Sequence, residues 1–140
     1  MSYIPATLRK QVTQAAGHRC GYCLRSEELM GMPMTIEHLL PEFLGGQTVE
    51  ENLWLSCIRC NQFKGSQTHA TDPLTGETVK LFNPRYQKWE EHFEWSTDGT
   101  KIIGQTKCGR ATVVALQMNN LEIVVAQRLW ISVGWWPPQD

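Results

Sequence analysis

Apolar residues recur along the first half of the chain at spacings that change from helical to extended and back. Residues 5–16 place them at helical spacing, between a proline suited to a first turn and a glycine suited to a C-terminal cap. The partly β-branched residues 34–38 predict a strand, and the apolar run 53–55 predicts a second one. A helix is expected from residue 58. The first half therefore predicts a core in the order strand, loop, strand, helix.

Two shorter helical turns are expected within this half. One covers Ser26–Met30. The other begins at Thr48, because Thr48 and Glu51 have the Thr-x-x-Glu spacing of a capping box, in which the hydroxyl accepts a backbone hydrogen bond.

The second half of the chain has a different pattern. Residues 65–79 are rich in turn-forming residues and predict an exposed excursion. Residues 94–103 surround an Asp-Gly pair and predict a β-hairpin. Two helices are expected over residues 110–118 and 121–133; Asn119 or Asn120 caps the second one, and Gly134 stops it.

These segments predict the α+β class and a division into two parts. Residues 1–80 would form the core, with the first helix and both cysteine pairs. Residues 81–140 would form a C-terminal extension, a hairpin and two helices, packed on that core.

Composition places the chain among ordinary globular proteins, with 140 residues, 41% hydrophobic and 19% charged. No apolar run approaches the roughly 20 residues that span a bilayer, and the N-terminus lacks the pattern of a secretory signal. We therefore expect a cytoplasmic protein with no membrane partner. The formal net charge of −1 gives no long-range attraction to nucleic acid, so any attraction to phosphate must be local.

Four of the five cysteines form two pairs of identical spacing, Cys20-x-x-Cys23 and Cys57-x-x-Cys60. Without a secretory signal, this spacing favours metal binding over two disulfides or two unrelated pairs. Four thiolates close a tetrahedral zinc site with no open position, which is a structural arrangement. The fifth, Cys108, has no partner in the sequence and is expected to be a buried free thiol.

The segment between the cysteine pairs carries a second group of polar residues. His38 follows Glu37 directly, Asn52 follows His38 by 14 positions, and Asn61 stands immediately after Cys60. A helix start fixed by zinc is a rigid place to hold a metal ligand. In a regular strand Glu37 and His38 point to opposite faces, so a local twist must aim both at one substrate.

These residues together resemble the HNH endonuclease family. The matching motif covers about residues 18–65 and reads Cys20-x-x-Cys23, Glu37-His38, Gly45-Gly46, Asn52-Leu53 and Cys57-x-x-Cys60-Asn61-x-x-Lys64. The resemblance implies a ββα-metal, treble-clef-like core in which His38 is the general base and Asn52 braces the loop between the strands. It also implies that Glu37 and Asn61 hold a catalytic divalent cation. The family usually has Asp at the position of Glu37, and Asn61 is a common variant of its third letter.

The chemistry expected of such a site is hydrolysis of a phosphodiester. A divalent cation offsets the charge that develops on the phosphate, and a histidine can accept a proton from water at neutral pH. A carboxylate and an amide oxygen suit Mg²⁺ or Mn²⁺ and leave most of the coordination sphere to water and phosphate. The expected function is thus a metal-dependent DNA endonuclease with a structural Zn²⁺; the resemblance implies 5′ phosphate and 3′ hydroxyl products.

Three basic residues are candidate phosphate contacts, Lys64, Arg59 and Arg85, although each alone is more typical of a solvated surface charge. The alternative function is a catalytically inactive, zinc-stabilised module that binds nucleic acid or protein. No residue excludes a ribonuclease.

Overall fold

A computed structural model describes residues 3–138, and their backbone forms two units. The first unit contains the residues up to Thr68 together with Asn83–Tyr86. The second contains His69–Phe82 together with the residues from Gln87 onward. The chain therefore changes unit after residue 68, whereas the predicted division lies at residue 80.

The first unit has helices and two strands in the predicted order. Its elements are α1 (Ala6–Ala15), α2 (Glu27–Met30), β1 (Thr35–His38), β2 (Leu53–Ser56) and α3 (Ile58–Lys64), with short 3₁₀ helices at Glu42–Leu44 and Glu50–Asn52. Strands β1 and β2 pair antiparallel, so that Glu37 lies opposite Trp54 and His38 opposite Leu53. The α+β class is confirmed.

The two strands of the first unit bury residues on both of their faces, because the successive residues Ile36 and Glu37 of β1 are both buried. Leu53 and Leu55 of β2 are buried, as are Ile36 of β1 and Val12 of α1. Helix α1 contacts both strands, so these side chains contribute to an apolar layer between the helix and the strand pair. Burying these apolar side chains removes them from water, and this hydrophobic effect is the dominant favourable contribution to folding.

The capping box predicted at Thr48 is wrong. The nearby 3₁₀ helix Glu50–Asn52 begins after Val49, and no side chain caps it. The Thr48 hydroxyl oxygen instead lies 2.8 Å from Nε2 of His38 in β1, ten positions earlier in the chain. A long-range partner has replaced the local one.

The second unit contains two hairpins and three helices within the described residues. Its elements are β3 (His69–Thr71), β4 (Thr78–Lys80), α4 (Trp89–His92), β5 (Phe93–Trp95), β6 (Ile102–Gly104), α5 (Lys107–Ala115) and α6 (Leu121–Ser132). The predicted Asp-Gly hairpin is confirmed as β5 and β6. Helix α5 begins earlier than predicted because Thr106 caps it, its hydroxyl accepting a hydrogen bond from the Gly109 N–H.

The antiparallel hairpin β3–β4 occupies the stretch predicted to be an exposed excursion. Two ion pairs join it to α5. Buried Asp72 accepts hydrogen bonds of 2.9 Å from Nε and Nη2 of Arg110, and Lys107 Nζ lies 2.6 Å from Glu77 Oε2. These contacts explain why the hairpin belongs to the second unit.

The C-terminal tryptophans have different environments. Trp136 is buried, and its ring packs edge-on against Trp95 and Trp130, whereas Trp135 is 65% exposed. None of the helices within residues 3–138 has the length and apolar character that a membrane-spanning segment needs.

Candidate active site and cysteine cluster

The four paired cysteines come together in one buried cluster. Their sulfur atoms all lie within 4.8 Å of one another, and the Cys23 and Cys57 sulfurs are 3.7 Å apart. A tetrahedron with metal–sulfur bonds of about 2.3 Å has edges of about 3.8 Å, so the cluster has the donors and the size that zinc requires. The close approach joins one pair to the other, and all four cysteines are free thiols rather than disulfides.

Local structure places each pair of sulfurs. Cys20 and Cys23 occupy a tight turn in which the Leu24 N–H donates to the Cys20 carbonyl at 3.0 Å. Cys57 precedes the first turn of α3, where its sulfur accepts a hydrogen bond from the Cys60 N–H. Gly21 is required between the first pair, because an added Cβ would lie 2.3 Å from Cδ1 of Trp54.

A buried cation accompanies the cluster. Arg25 is buried, and although burial lowers its pKa, the four cysteine sulfurs raise it by more, so the guanidinium stays charged. Hydrogen bonds from Cys20, Cys23 and Cys60 hold the pKa of Cys57 well below its usual range. A positive side chain is therefore in place to offset the negative charge that zinc-bound thiolates carry.

His38 stands at the end of β1 with its ring held from one side. Its side chain is 12% exposed, and Nε2 lies 2.8 Å from the Thr48 hydroxyl oxygen and 3.8 Å from Oε1 of Glu42. Neither Thr48 nor Glu42 was among the residues that the sequence singled out for this site. The sequence did draw attention to Thr48, but as the cap of a helical turn rather than as a partner of His38.

Asn52 fastens the loop that follows His38. Its Oδ1 accepts a hydrogen bond of 2.8 Å from the Leu40 N–H, and its Nδ2 donates to the carbonyls of Leu40 and Gln47 at 3.1 and 3.0 Å. The loop passes so close to itself that a Cβ on Gly46 would lie 1.7 Å from the Leu40 carbonyl oxygen. The backbone on both sides of Thr48 is thus fixed.

Glu37 lies inside the protein, where a side chain from the turn at Cys20–Cys23 and one from α3 engage its carboxylate. The Tyr22 hydroxyl donates a hydrogen bond to Oε1, and Lys64 Nζ lies 3.8 Å from the same oxygen. Burial raises the pKa of Glu37, and Lys64 and Tyr22 oppose that rise without cancelling it. Tyr22, between the first two cysteines, gave no signal in the sequence.

Lys64 is only 4% exposed. The sequence suggested a phosphate contact or a solvated surface charge at this position, and the structure instead places the ammonium group inside, beside Glu37. The spacing of Lys64 from Cys60 did indicate that it lies near the site.

Asn61 is half-buried on α3, immediately after Cys60, and its N–H donates to the Cys57 carbonyl at 2.9 Å. Among residues 3–138, no hydrogen bond engages its side-chain amide. An amide without a protein partner and a buried carboxylate are oxygen donors of the kind that Mg²⁺ and Mn²⁺ prefer. Glu37 and Asn61 thus have the residue types that such a cation prefers, while Tyr22 and Lys64 already engage the carboxylate.

The two arginines proposed as phosphate contacts make contacts within the first unit. Nε and Nη2 of Arg85 donate to the Leu53 carbonyl at 3.2 and 3.1 Å, and its guanidinium lies 4.9 Å from the ring centroid of Trp54. Arg59 lies over the ring of Phe63 at 5.8 Å. Arg85 thereby braces β2, which the sequence did not predict.

All the residues that suggested an endonuclease, from the first cysteine pair to Asn61, lie in one continuous stretch. Residues 20–67 match the family model of the HNH endonucleases. The resemblance inferred from the sequence motif is confirmed over this HNH segment.

Comparison with curated proteins extends the similarity beyond the HNH segment. The chain is 26% identical over 127 residues to the Septu protein PtuB of Bacillus thuringiensis, covering 89% of this chain and 46% of that protein. It is 29% identical over 138 residues to the CRISPR-associated endonuclease Cas9 of Corynebacterium diphtheriae, covering 91% of this chain and 12% of that protein. The chain thus spans less than half the length of either relative. No solved structure matches it.

Proposed function

We propose that this chain is a metal-dependent HNH endonuclease that hydrolyses phosphodiester bonds in DNA. The observation that carries the proposal is the His38 imidazole, held through Nε2 by Thr48 at the end of β1, inside the segment that matches the HNH family. The printed name of one relative, an endonuclease, agrees with this class of activity.

In this proposal β1, β2 and α3 form a ββα-metal core. His38 accepts a proton from the attacking water, and Asn52 holds the loop that shapes the site. Glu37 and Asn61 would hold Mg²⁺ or Mn²⁺, and such a cation, when bound, offsets the negative charge that develops on the phosphate. The four cysteines would hold Zn²⁺ in a structural role, fixing the start of α3 against the turn at Cys20.

One observation favours a second candidate function, a zinc-stabilised binding module without catalysis. Lys64 supplies a positive charge next to the Glu37 carboxylate, at 3.8 Å, so that this buried acid is partly compensated without a divalent cation. A module that only bound nucleic acid or protein would keep this ion pair permanently.

Cleavage of plasmid DNA in Mg²⁺ or Mn²⁺ separates the two functions. We expect the zinc-loaded protein to cut, and His38→Ala to lose at least about 10²-fold in rate, the usual contribution of a positioned general base, while it keeps its zinc. His69→Ala is the matched control, because His69 lies exposed on β3 in the second unit.

Each outcome of the cleavage assay supports or excludes one of the two functions. A wild-type protein that cuts neither DNA nor RNA in either cation supports the binding module instead. Cleavage of RNA alone would replace DNA as the substrate. Full activity in His38→Ala would remove His38 from the mechanism.

A further inference from the structure

The ring of His38 presents one nitrogen to two side-chain oxygens of the following loop. Nε2 lies 2.8 Å from the Thr48 hydroxyl oxygen and 3.8 Å from Oε1 of Glu42. We infer that Thr48 is a positioning residue that holds His38 as the tautomer with its proton on Nε2, leaving Nδ1 to act as the base. The role of Nδ1 as the base rests on the proposed function. The position of the proton on Nε2 does not depend on it.

The chemistry of the two oxygens selects the tautomer. A neutral imidazole carries its proton on one nitrogen, and the hydrogen bond that this nitrogen makes decides which one. An ionised carboxylate only accepts hydrogen bonds, and its negative potential favours a proton on the nearer nitrogen. With Glu42 on the same side, the Thr48 hydroxyl accepts a bond from Nε2–H, and its own proton is available to other acceptors.

The loop backbone makes this arrangement a fixed property of the fold. Asn52 binds the carbonyl of Gln47, the residue just before Thr48, and both the N–H and the carbonyl of Leu40. At Gly46 the loop backbone approaches the Leu40 carbonyl so closely that no larger residue fits there. Thr48 also caps no helix, so its hydroxyl is available to the ring.

The resulting step balances with one water molecule. Nδ1 takes a proton from the attacking water, and the water oxygen forms its bond to phosphorus as the bond from phosphorus to the leaving 3′ oxygen breaks. The leaving oxygen takes a proton from solvent. Throughout this step the Nε2–H stays bonded to Thr48, and the carboxylate of Glu42 stabilises the imidazolium that forms.

The tautomer can be measured directly by long-range ¹H–¹⁵N NMR on zinc-loaded protein with ¹⁵N-labelled histidine, without a catalytic cation. The chain has four histidines, and the signals of His38 are those that disappear in His38→Gln. At a pH where the ring is neutral, we expect the wild type to show protonated Nε2 and unprotonated Nδ1. A wild-type ring protonated on Nδ1 would overturn the inference, whatever the variants do.

Variants at Thr48 test whether its hydroxyl is the cause. Thr48→Val keeps the shape and removes the hydroxyl, so we expect a mixture of tautomers and a kcat lower by about tenfold, the scale of one lost hydrogen bond, with KM unchanged. Thr48→Ser should restore both the tautomer and kcat. Thr78→Val, the same change at an exposed position of β4, should alter neither.

These readouts keep the inference separate from the proposed function. If the protein cuts no nucleic acid, the proposed function fails, while the spectra still decide whether Thr48 sets the tautomer. If Thr48→Val retains both the wild-type tautomer and the wild-type kcat, Thr48 does not position His38, and the proposed function can still stand.

Discussion

Removal of the buried ion pair between Lys64 and Glu37 should lower the free energy of unfolding by an amount that can be worked out from the structure. The side chains are each 5% exposed, and Lys64 Nζ lies 3.8 Å from Glu37 Oε1. At an effective dielectric constant of about 20, two unit charges at this separation attract by about 4 kcal/mol. Lys64→Met keeps most of the apolar stem but leaves the carboxylate without its cation, and breaking a buried pair in this way usually costs about 3–5 kcal/mol. We therefore expect the free energy of unfolding of the first unit to fall by about 3 kcal/mol at pH 7.

The effect should depend on pH, with a sign that follows from the pKa of Glu37. Burial raises that pKa above its value in the unfolded chain, so the folded state binds a proton at a pH where the unfolded state has already released it. The contribution of Glu37 to stability is thus greatest at low pH and falls as pH rises from the unfolded pKa through the folded one. Loss of Lys64 raises the folded pKa further. The penalty of Lys64→Met should consequently be largest near neutral pH and shrink as Glu37 protonates.

The assay is urea unfolding of zinc-loaded protein between about pH 5.5 and 8. Because the chain has two units, zinc release to a chromogenic chelator reports on the unit that carries the cysteine cluster. Glu37→Gln combined with Lys64→Met should recover much of the stability lost in the single lysine variant, since the uncompensated charge is gone. Lys80→Met, at an exposed position of β4, should change stability by less than about 0.5 kcal/mol. The ion pair would be refuted if the two buried substitutions lowered the free energy of unfolding additively. It would also be refuted if the loss of stability in Lys64→Met did not depend on pH.

Substitutions at three further positions test the proposed zinc site, the loop geometry and the proposed cation ligand. Cys57→Ser should lose zinc and much of the first unit's structure, measured by metal analysis and circular dichroism, whereas Cys108→Ser should retain the zinc. Gly46→Ala should destabilise the protein by several kcal/mol in urea unfolding, because its methyl would overlap the Leu40 carbonyl; wild-type stability would contradict the loop geometry. Asn61→Ala should abolish Mg²⁺-dependent cleavage with zinc retained, and Asn61→His should shift activity toward Mn²⁺, Ni²⁺ or Co²⁺ in a panel of cations; normal cleavage by Asn61→Ala in Mg²⁺ would show that Asn61 is no ligand.

The features that the sequence predicted well are those set by spacing or by local chemistry. The two-residue spacing within each cysteine pair allowed the cluster to be inferred without any knowledge of the fold. The second helix of the C-terminal part begins after Asn120, whose side chain accepts a hydrogen bond from the Glu122 N–H, and it is followed by Gly134 with a φ of 80°. The cap and the terminating glycine each depend on residues only a few positions apart, so both can be recognised from the sequence alone.

The features that the sequence did not predict depend on partners far away in the chain. Thr48 carries a genuine capping signature, but its hydroxyl binds a ring ten residues earlier. Lys64 is a residue type that is almost never buried without a partner, and its partner, Glu37, lies on a strand that only the folded core brings near. Strands β3 and β4 are three residues each and too short to show an alternating pattern, so the turn residues between them dominated the prediction.

The contacts of Glu37 link the cysteine cluster to the candidate active site. Tyr22, which donates to its carboxylate, lies between Cys20 and Cys23, and Lys64 ends the helix that Cys57 begins. Both partners of the carboxylate are therefore held by backbone that the cluster ties together, one on each side of it. A zinc ion bound there would stabilise the first unit and would also fix where the carboxylate lies relative to His38, the next residue of β1. If the proposed function holds, a structural zinc site in the cluster would keep the partners of Glu37 rigid, and with them the carboxylate that the proposed catalytic cation needs.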